Sequence, residues 1–234
     1  MSEWKMKNFY EVIPKSYLGE RFNNPNLDKG ALPHPFRLAI VGSSGSMKTN
    51  SMMNLIALCG NFDRFYILAR MLDEPLYRYL VDTLKRAEAV TGQQVVFASN
   101  ELDDLPDPEQ LDKTCQNLVI IDDMICENLE KCKALKELMT RGRKYNTSVV
   151  FITQKFTAMP TLLRGQLSHY FLKQVTNKRE LKDILEKCSG DGDVDAALKM
   201  YIEATKGPTD FLQIDCNAPP KERFKINFAP PKNK

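Results

Sequence analysis

Short runs of β-branched, aromatic and aliphatic residues recur along the chain: Leu38 to Val41, Phe65 to Leu68, Val95 to Ala98, Leu118 to Ile121, Val149 to Ile152, Tyr170 to Leu172 and Phe211 to Ile214. Helical stretches separate them, and strands alternating with helices predict an α/β fold: a mainly parallel sheet with helices on both faces. Residues 128–140, NLEKCKALKELMT, follow the helical period. Leu129, Cys132, Leu135 and Leu138 fall on one face while Lys131, Lys133, Lys136 and Glu137 lie elsewhere, so this helix packs on one side.

Outside this pattern three segments differ. Residues 1–35 hold Asn-Pro, Leu-Pro and His-Pro steps, in which each proline restrains its predecessor toward extended structure, and they read as an arm. Its aromatics Trp4, Phe9, Tyr10 and Tyr17 either dock on a neighbour or pack back on the domain. Glu101 to Asp112 is acidic and reads as a solvated loop. Residues 219–234 mix prolines with Lys221, Arg223, Lys225, Lys232 and Lys234 and read as a flexible basic tail, which leaves 36–218 as one folded unit.

The strand at 38–41 runs into Gly42-Ser43-Ser44-Gly45-Ser46-Met47-Lys48-Thr49 and then a helix. A loop of this kind turns consecutive backbone N–H groups toward one point at the positive end of a helix, as a triphosphate requires. Lys48 would reach the β- and γ-phosphates and Thr49 would place its hydroxyl on Mg2+. The pattern G-x-x-x-x-G-K-[ST] is broken at Met47, where glycine is expected.

A second signal is Asn117-Leu-Val-Ile-Ile-Asp-Asp123, a buried strand ending in two carboxylates. Ligands of open α/β sheets bind outside the carboxyl edge, so Asp122 is placed to hold Mg2+ and Asp123 to orient or deprotonate water. Aspartate also ends strands for purely structural reasons; coupling to the Lys-Thr loop is what favours a site. A third strand, Ser148 to Ile152, ends in Thr153-Gln154 at the same edge, where Gln154 would sense the γ-phosphate or hold the water. Before it, Arg141, Arg143 and Lys144 cluster in a turn. Arginine can stabilise a transferring phosphoryl group from a neighbouring subunit, although charged turns are more often simply solvated.

Composition changes this picture little. The 234 residues carry 33 basic and 30 acidic side chains, too small an excess to indicate nucleic-acid binding by itself, but basic segments at 131–144 and 221–234 are separated from the acidic 101–112. Six cysteines without a C-x-x-C pair and two histidines give no zinc ligand set and read as reduced thiols in a soluble compartment.

In the order and context of GSSGSMKT at 42–49, NLVIIDDM at 117–124, LKELMTRGRKYNTSVVFITQ at 135–154, LLRGQLSHYFLKQVTNKRELKDILE at 162–186 and DFLQID at 210–215, the chain resembles the FtsK/HerA-type genome-packaging ATPases of poxviruses, other large nucleocytoplasmic DNA viruses and virophages. The resemblance implies a RecA-like P-loop domain with an additional strand between the loop strand and the Asp-Asp strand. It further implies ATP and Mg2+ as cofactors and a homo-oligomeric ring, a hexamer, that moves double-stranded viral DNA into a preformed capsid. The expected partners are DNA, further copies of the chain and a capsid or membrane vertex component; the expected location is the host cytoplasm, in the virus factory, and the virion. By position, Lys48 and Thr49 are the phosphate and magnesium residues, Asp122 the magnesium acid, Asp123 the catalytic acid and Gln154 the sensor. Arg143, with Arg141 second, is the candidate finger acting in trans.

Two other functions fit the same residues. Met47, and Asp123 where glutamate is commoner, would suit a nucleotide-gated DNA-binding or capsid-assembly protein with little hydrolysis. A small-molecule kinase would need an acceptor pocket and lid that the sequence does not suggest.

Overall fold

The computed structural model describes residues 7–14, 16, 24–124, 128–190 and 192–228. All seven apolar runs become strands: β1 (Arg37–Val41), β2 (Arg64–Ala69), β3 (Val96–Ser99), β4 (Asn117–Asp122), β5 (Thr147–Thr153), β6 (His169–Leu172) and β7 (Leu212–Asp215), joined by an eighth, β8 (Phe224–Ile226). They form one sheet in the order β3-β2-β4-β5-β1-β6-β7-β8. Pairing is parallel from β3 to β6 and antiparallel for β6–β7 and β7–β8. The expected additional strand is β5, inserted between β1 and β4.

Successive side chains on a strand point to opposite faces, so the central strands feed two cores. Leu38, Ile40, Leu118, Ile120, Val150 and Ile152 pack with helices α1 (Lys48–Cys59) and α2 (Pro75–Thr91). Ala39, Val41, Val119, Ile121, Val149 and Phe151 pack with α3 (Lys133–Arg141), α5 (Lys178–Ser189) and α6 (Val194–Ala204), which follow the short α4 (Thr161–Gly165). Each wholly buried leucine or isoleucine contributes about 2 kcal/mol. This double burial explains why the central runs are apolar throughout.

Four expectations need correction. The helix expected over 128–140 begins at Lys133, because Lys131 N donates to Asn128 O to close a turn and Cys132 is extended; Leu129 is buried from that turn. The expected arm boundary at residue 35 lies within packed chain: Ala31, Leu32 and Phe36 are buried, and Asn24 donates to Leu32 O. Phe9 is exposed, while Trp4 and Tyr17 lie outside the described residues. The basic tail is in part structure. Phe224–Ile226 is a strand, Arg223 donates to the carbonyls of Cys188 and Ala218, and Phe228 packs on Phe171 and Phe211; Lys232 and Lys234 lie outside the described residues. The acidic segment is anchored, with Leu102, Leu105, Pro108 and Leu111 buried under its carboxylates.

His34 joins the approach to β1 with the start of β5. Ser148 Oγ accepts from Phe36 N and lies 2.8 Å from His34 Nδ1, within hydrogen-bond distance of the ring. Burial lowers the His34 pKa to about 4, so the folded state keeps the ring neutral where the unfolded chain protonates it. Stability should therefore fall as pH drops from about 6.5 toward 4, by on the order of 2 kcal/mol after allowance for partial exposure. Denaturant melts of wild type and His34→Gln across that window check this; the variant's curve should be the flatter.

Candidate nucleotide site

The loop between β1 and α1 is held from both sides by the sheet. Gly42 N donates to Thr153 O at the end of β5, and Ser43 N donates to Gln174 O just beyond β6. A Cβ on Gly42 would lie 2.6 Å from both Lys173 Cβ and Ser46 Oγ, so only glycine fits without displacement. Gly45 has φ +73°, and Met47 itself adopts φ 60°, ψ 37°, the left-handed region that the missing glycine would occupy without cost. Its exposed side chain avoids a clash. Lys48 opens α1 and donates from Nζ to Ser43 O at 2.9 Å, curling back over the loop. Burial pulls its pKa down, while Asp122, Asp123 and Glu74 favour the charged form. The buried Oγ of Ser46 makes no hydrogen bond among the described residues.

Parallel register brings the other groups to the same edge. Val41 pairs with Thr153, and Ile152 with Asp122, so β1, β5 and β4 end together. A cleft of about 360 Å³ there is lined by Gly45, Met47, Lys48 and Thr49 from the loop and helix, by Asp122, Asp123 and Gln154, and by Arg70, Glu74 and Tyr77. Asp123 is exposed with φ 53°, its N–H donating to Ile152 O, which turns the chain sharply after Asp122. Gln154 is exposed on the cleft.

Tyr77 was not signalled by any motif. It enters from the buried face of α2 and donates its hydroxyl to Asp122 Oδ2 at 2.5 Å. Burial raises the Asp122 pKa to about 6, and this hydrogen bond opposes the rise. The tyrosine hydroxyl is itself pushed well above its ordinary range by burial and by that carboxylate, so it stays a donor. Thr49, Asp122 and Glu74 supply hard oxygen donors in one cleft, which fits Mg2+.

Arg141 and Arg143 lie elsewhere. Arg143 is in the Gly142–Tyr145 turn that feeds the first residue of β5, at the sheet edge opposite the cleft. The strand between them spans about 20 Å. Tyr145 Oη lies 2.5 Å from Glu137 and 3.0 Å from Glu109, and Lys144 pairs with Glu109 at 2.8 Å; hydrogen bonds from Lys144, Lys113 and Tyr145 hold Glu109 down to about pKa 2. Arg141 sits 3.7 Å from Glu137. Arg143 is exposed and close enough to Arg37 to add to the lowering that burial imposes on it.

Residues 20–203 match the family described as Poxvirus A32 protein. The chain belongs to this A32 family. It is 25% identical over 191 residues to the DNA packaging protein OPG160 of monkeypox virus, covering 74% of this chain and 62% of that protein, and 25% identical over 183 residues to its vaccinia virus (strain Copenhagen) counterpart, covering 71% and 66%. The chain thus spans somewhat under two thirds of the length of these relatives. The A32-family fold is shared with the genome packaging NTPase B204 of Sulfolobus turreted icosahedral virus 2 in complex with AMPPCP (TM-score 0.59, 18% identity, 82% of this chain and 97% of that one). The DNA-packaging ATPase B204 from Sulfolobus turreted icosahedral virus is similar too (TM-score 0.56, 19% identity, 83% and 98%).

Within this A32-family chain, Met47 is the residue whose backbone conformation runs against its chemistry. A β-branched side chain tolerates the left-handed region worst and glycine best. Met47→Val should be less stable than Met47→Gly by about 1 kcal/mol or more in urea melts although the position is exposed. Equal stabilities would mean that the loop does not impose this conformation.

Proposed function

We propose that the protein is an ATP-driven translocase that packages double-stranded viral DNA. The observation that carries this is the convergence of Lys48, Thr49, Asp122, Asp123 and Gln154 on one cleft at the carboxyl edge of three parallel strands. It is supported by membership of the A32 family and by relatives named for DNA packaging.

In this reading the backbone N–H groups of residues 42–49 and the Lys48 ammonium hold the phosphates. Thr49 and Asp122 would hold Mg2+, which would supply positive charge against the phosphates. Tyr77 fixes the Asp122 carboxylate. Asp123 takes the proton of the attacking water, and Gln154 orients that water or contacts the γ-phosphate. Arg143, or Arg141, enters the cleft of a neighbouring copy: one chain cannot bring the turn and the cleft together, because β5 holds them at opposite edges. That separation favours a ring, for which six copies are the expectation.

DNA would be held through its backbone, since phosphate contacts are independent of sequence. Lys131, Lys133 and Lys136 around α3 and Lys178, Arg179 and Lys182 on α5 are candidates, and both helices cover the same face of the sheet. The protein would act in the infected host cell, in the cytoplasmic virus factory, against a capsid or membrane vertex component.

The strained Met47 favours a second reading, a nucleotide-gated DNA-binding or assembly protein with little turnover. Magnesium-dependent ATP hydrolysis separates the two. Lys48→Ala and Asp123→Asn should each reduce kcat at least about 100-fold, the scale lost with a charge-stabilising and an acid–base group respectively. Arg143→Ala should be equally inactive alone yet regain activity in mixed rings with Lys48→Ala. Tight binding of ATP by the wild type without turnover would favour the gate, and no recovery in verified mixed rings would remove the finger.

A further inference from the structure

A second cavity, also of about 360 Å³, adjoins the phosphate cleft. Asn50, in the first turn of α1, lines both. From there the second cavity extends to Asn54, to Thr209 and Phe211 ahead of β7, and to Asn227 and Phe228 after β8. The volume is in the range that small-ligand pockets take.

Its position follows the polarity of a bound nucleotide. The reacting end must face Asp122, Asp123 and Gln154, which arrive from β4 and β5 on one side of β1. The remainder of the molecule must leave past Thr49 and Asn50, away from those strands. On the other side of β1 lie β6, β7 and β8, and the segments bordering β7 and β8 form the second cavity.

The walls suit a flat heteroaromatic ring. Phe228 is half-buried, and its ring centroid lies 5.5 Å from that of Phe171 and 5.0 Å from that of Phe211, so two buried aromatics back it. The wall is clamped. Asn227, at φ 53°, accepts from Phe211 N at 2.9 Å through Oδ1, donates to Phe211 O from its backbone N, and donates from Nδ2 to Asp210 Oδ1 at 2.9 Å. Asp210 in turn accepts from Gly207 N. On the opposite wall Asn54 spends Nδ2 on Asn50 O, which leaves Oδ1 to accept from an exocyclic amine.

We infer that the cavity between α1, Thr209 and Phe228 receives the adenine base of the nucleotide, with Phe228 as its stacking wall and Asn54 as acceptor for the amino group. This rests on the phosphate reading of the adjacent cleft and assigns base selectivity to a segment, residues 209–228, that carries no phosphate-binding group. Base–aromatic stacking accounts for a substantial share of affinity where it occurs.

The test compares ATP, GTP, CTP and inorganic tripolyphosphate, each with Mg2+, by isothermal titration calorimetry on the full chain. Wild type should bind ATP at least tenfold more tightly than tripolyphosphate and more tightly than CTP or GTP. Phe228→Ala removes the wall; Thr209→Trp fills the cavity from an exposed position and spares the core if Phe228→Ala proves unstable. Both should weaken ATP at least fivefold and leave tripolyphosphate unchanged. Equal wild-type affinities for ATP and tripolyphosphate, unchanged ATP binding in a folded Phe228→Ala or Thr209→Trp, or preference for GTP would overturn the inference. Lys48→Ala reads the phosphate cleft independently: it should abolish tripolyphosphate binding whatever the base variants do. If Lys48→Ala left ATP and tripolyphosphate affinities unchanged, the phosphate reading would fail, and the base assignment with it.

Discussion

The parallel register of β1, β5 and β4 is the constraint on which the site depends. Pairing of Val41 with Thr153, and of Asp122 with Ile152, makes three strand ends coincide although Val41 and Thr153 lie more than 100 residues apart in the chain. A one-residue slip would turn every side chain of a strand to the opposite face and bury the wrong set. The two cores therefore enforce the register: Ile40, Ile120 and Ile152 on one face, Val41, Ile121 and Phe151 on the other. The phosphate loop is then tied to this frame by single hydrogen bonds to Thr153 O at the end of β5 and to Gln174 O, two residues beyond β6.

The same geometry separates two kinds of chemistry. Carboxylates, Lys48 and Gln154 gather at the carboxyl edge, whereas Arg37 and Arg143 gather at the amino edge. The acidic segment contributes to that second edge, since Glu109 holds Lys144 and Tyr145 in place and so positions the turn that displays Arg143. A motor whose hydrolysis must change contacts between neighbours needs its two halves apart in one chain and adjacent in an assembly. This chain keeps the two apart, as the proposed function requires.

The strands and the principal site were legible in the sequence because both have short-range signatures. Apolar runs mark doubly buried strands, and GSSGSMKT and VIIDD place their chemistry within a few residues. What escaped was set by contacts across the fold. Tyr77 reaches Asp122 over 45 residues and belongs to an ordinary amphipathic helix, so no local pattern marks it. The strand at 224–226 is three residues long and flanked by lysines and prolines, and it exists because β7 offers an edge and Phe171 and Phe211 offer a surface. Likewise Leu102, Leu105 and Leu111 are too few among acids to signal burial until the neighbouring core is present. The left-handed Met47 was foreseeable as an exception to the motif, and its backbone lies in the region that glycine occupies without cost.

In the proposed function the cleft turns over ATP only when a neighbouring copy completes it, and DNA engages the assembly. The most direct measurement is the magnesium-dependent ATPase rate per chain as a function of protein concentration, with and without duplex DNA, at several salt concentrations. The rate per chain should rise with concentration as rings form, be stimulated by DNA of any sequence, and lose that stimulation as salt increases. A rate per chain that is independent of concentration and indifferent to DNA would contradict it.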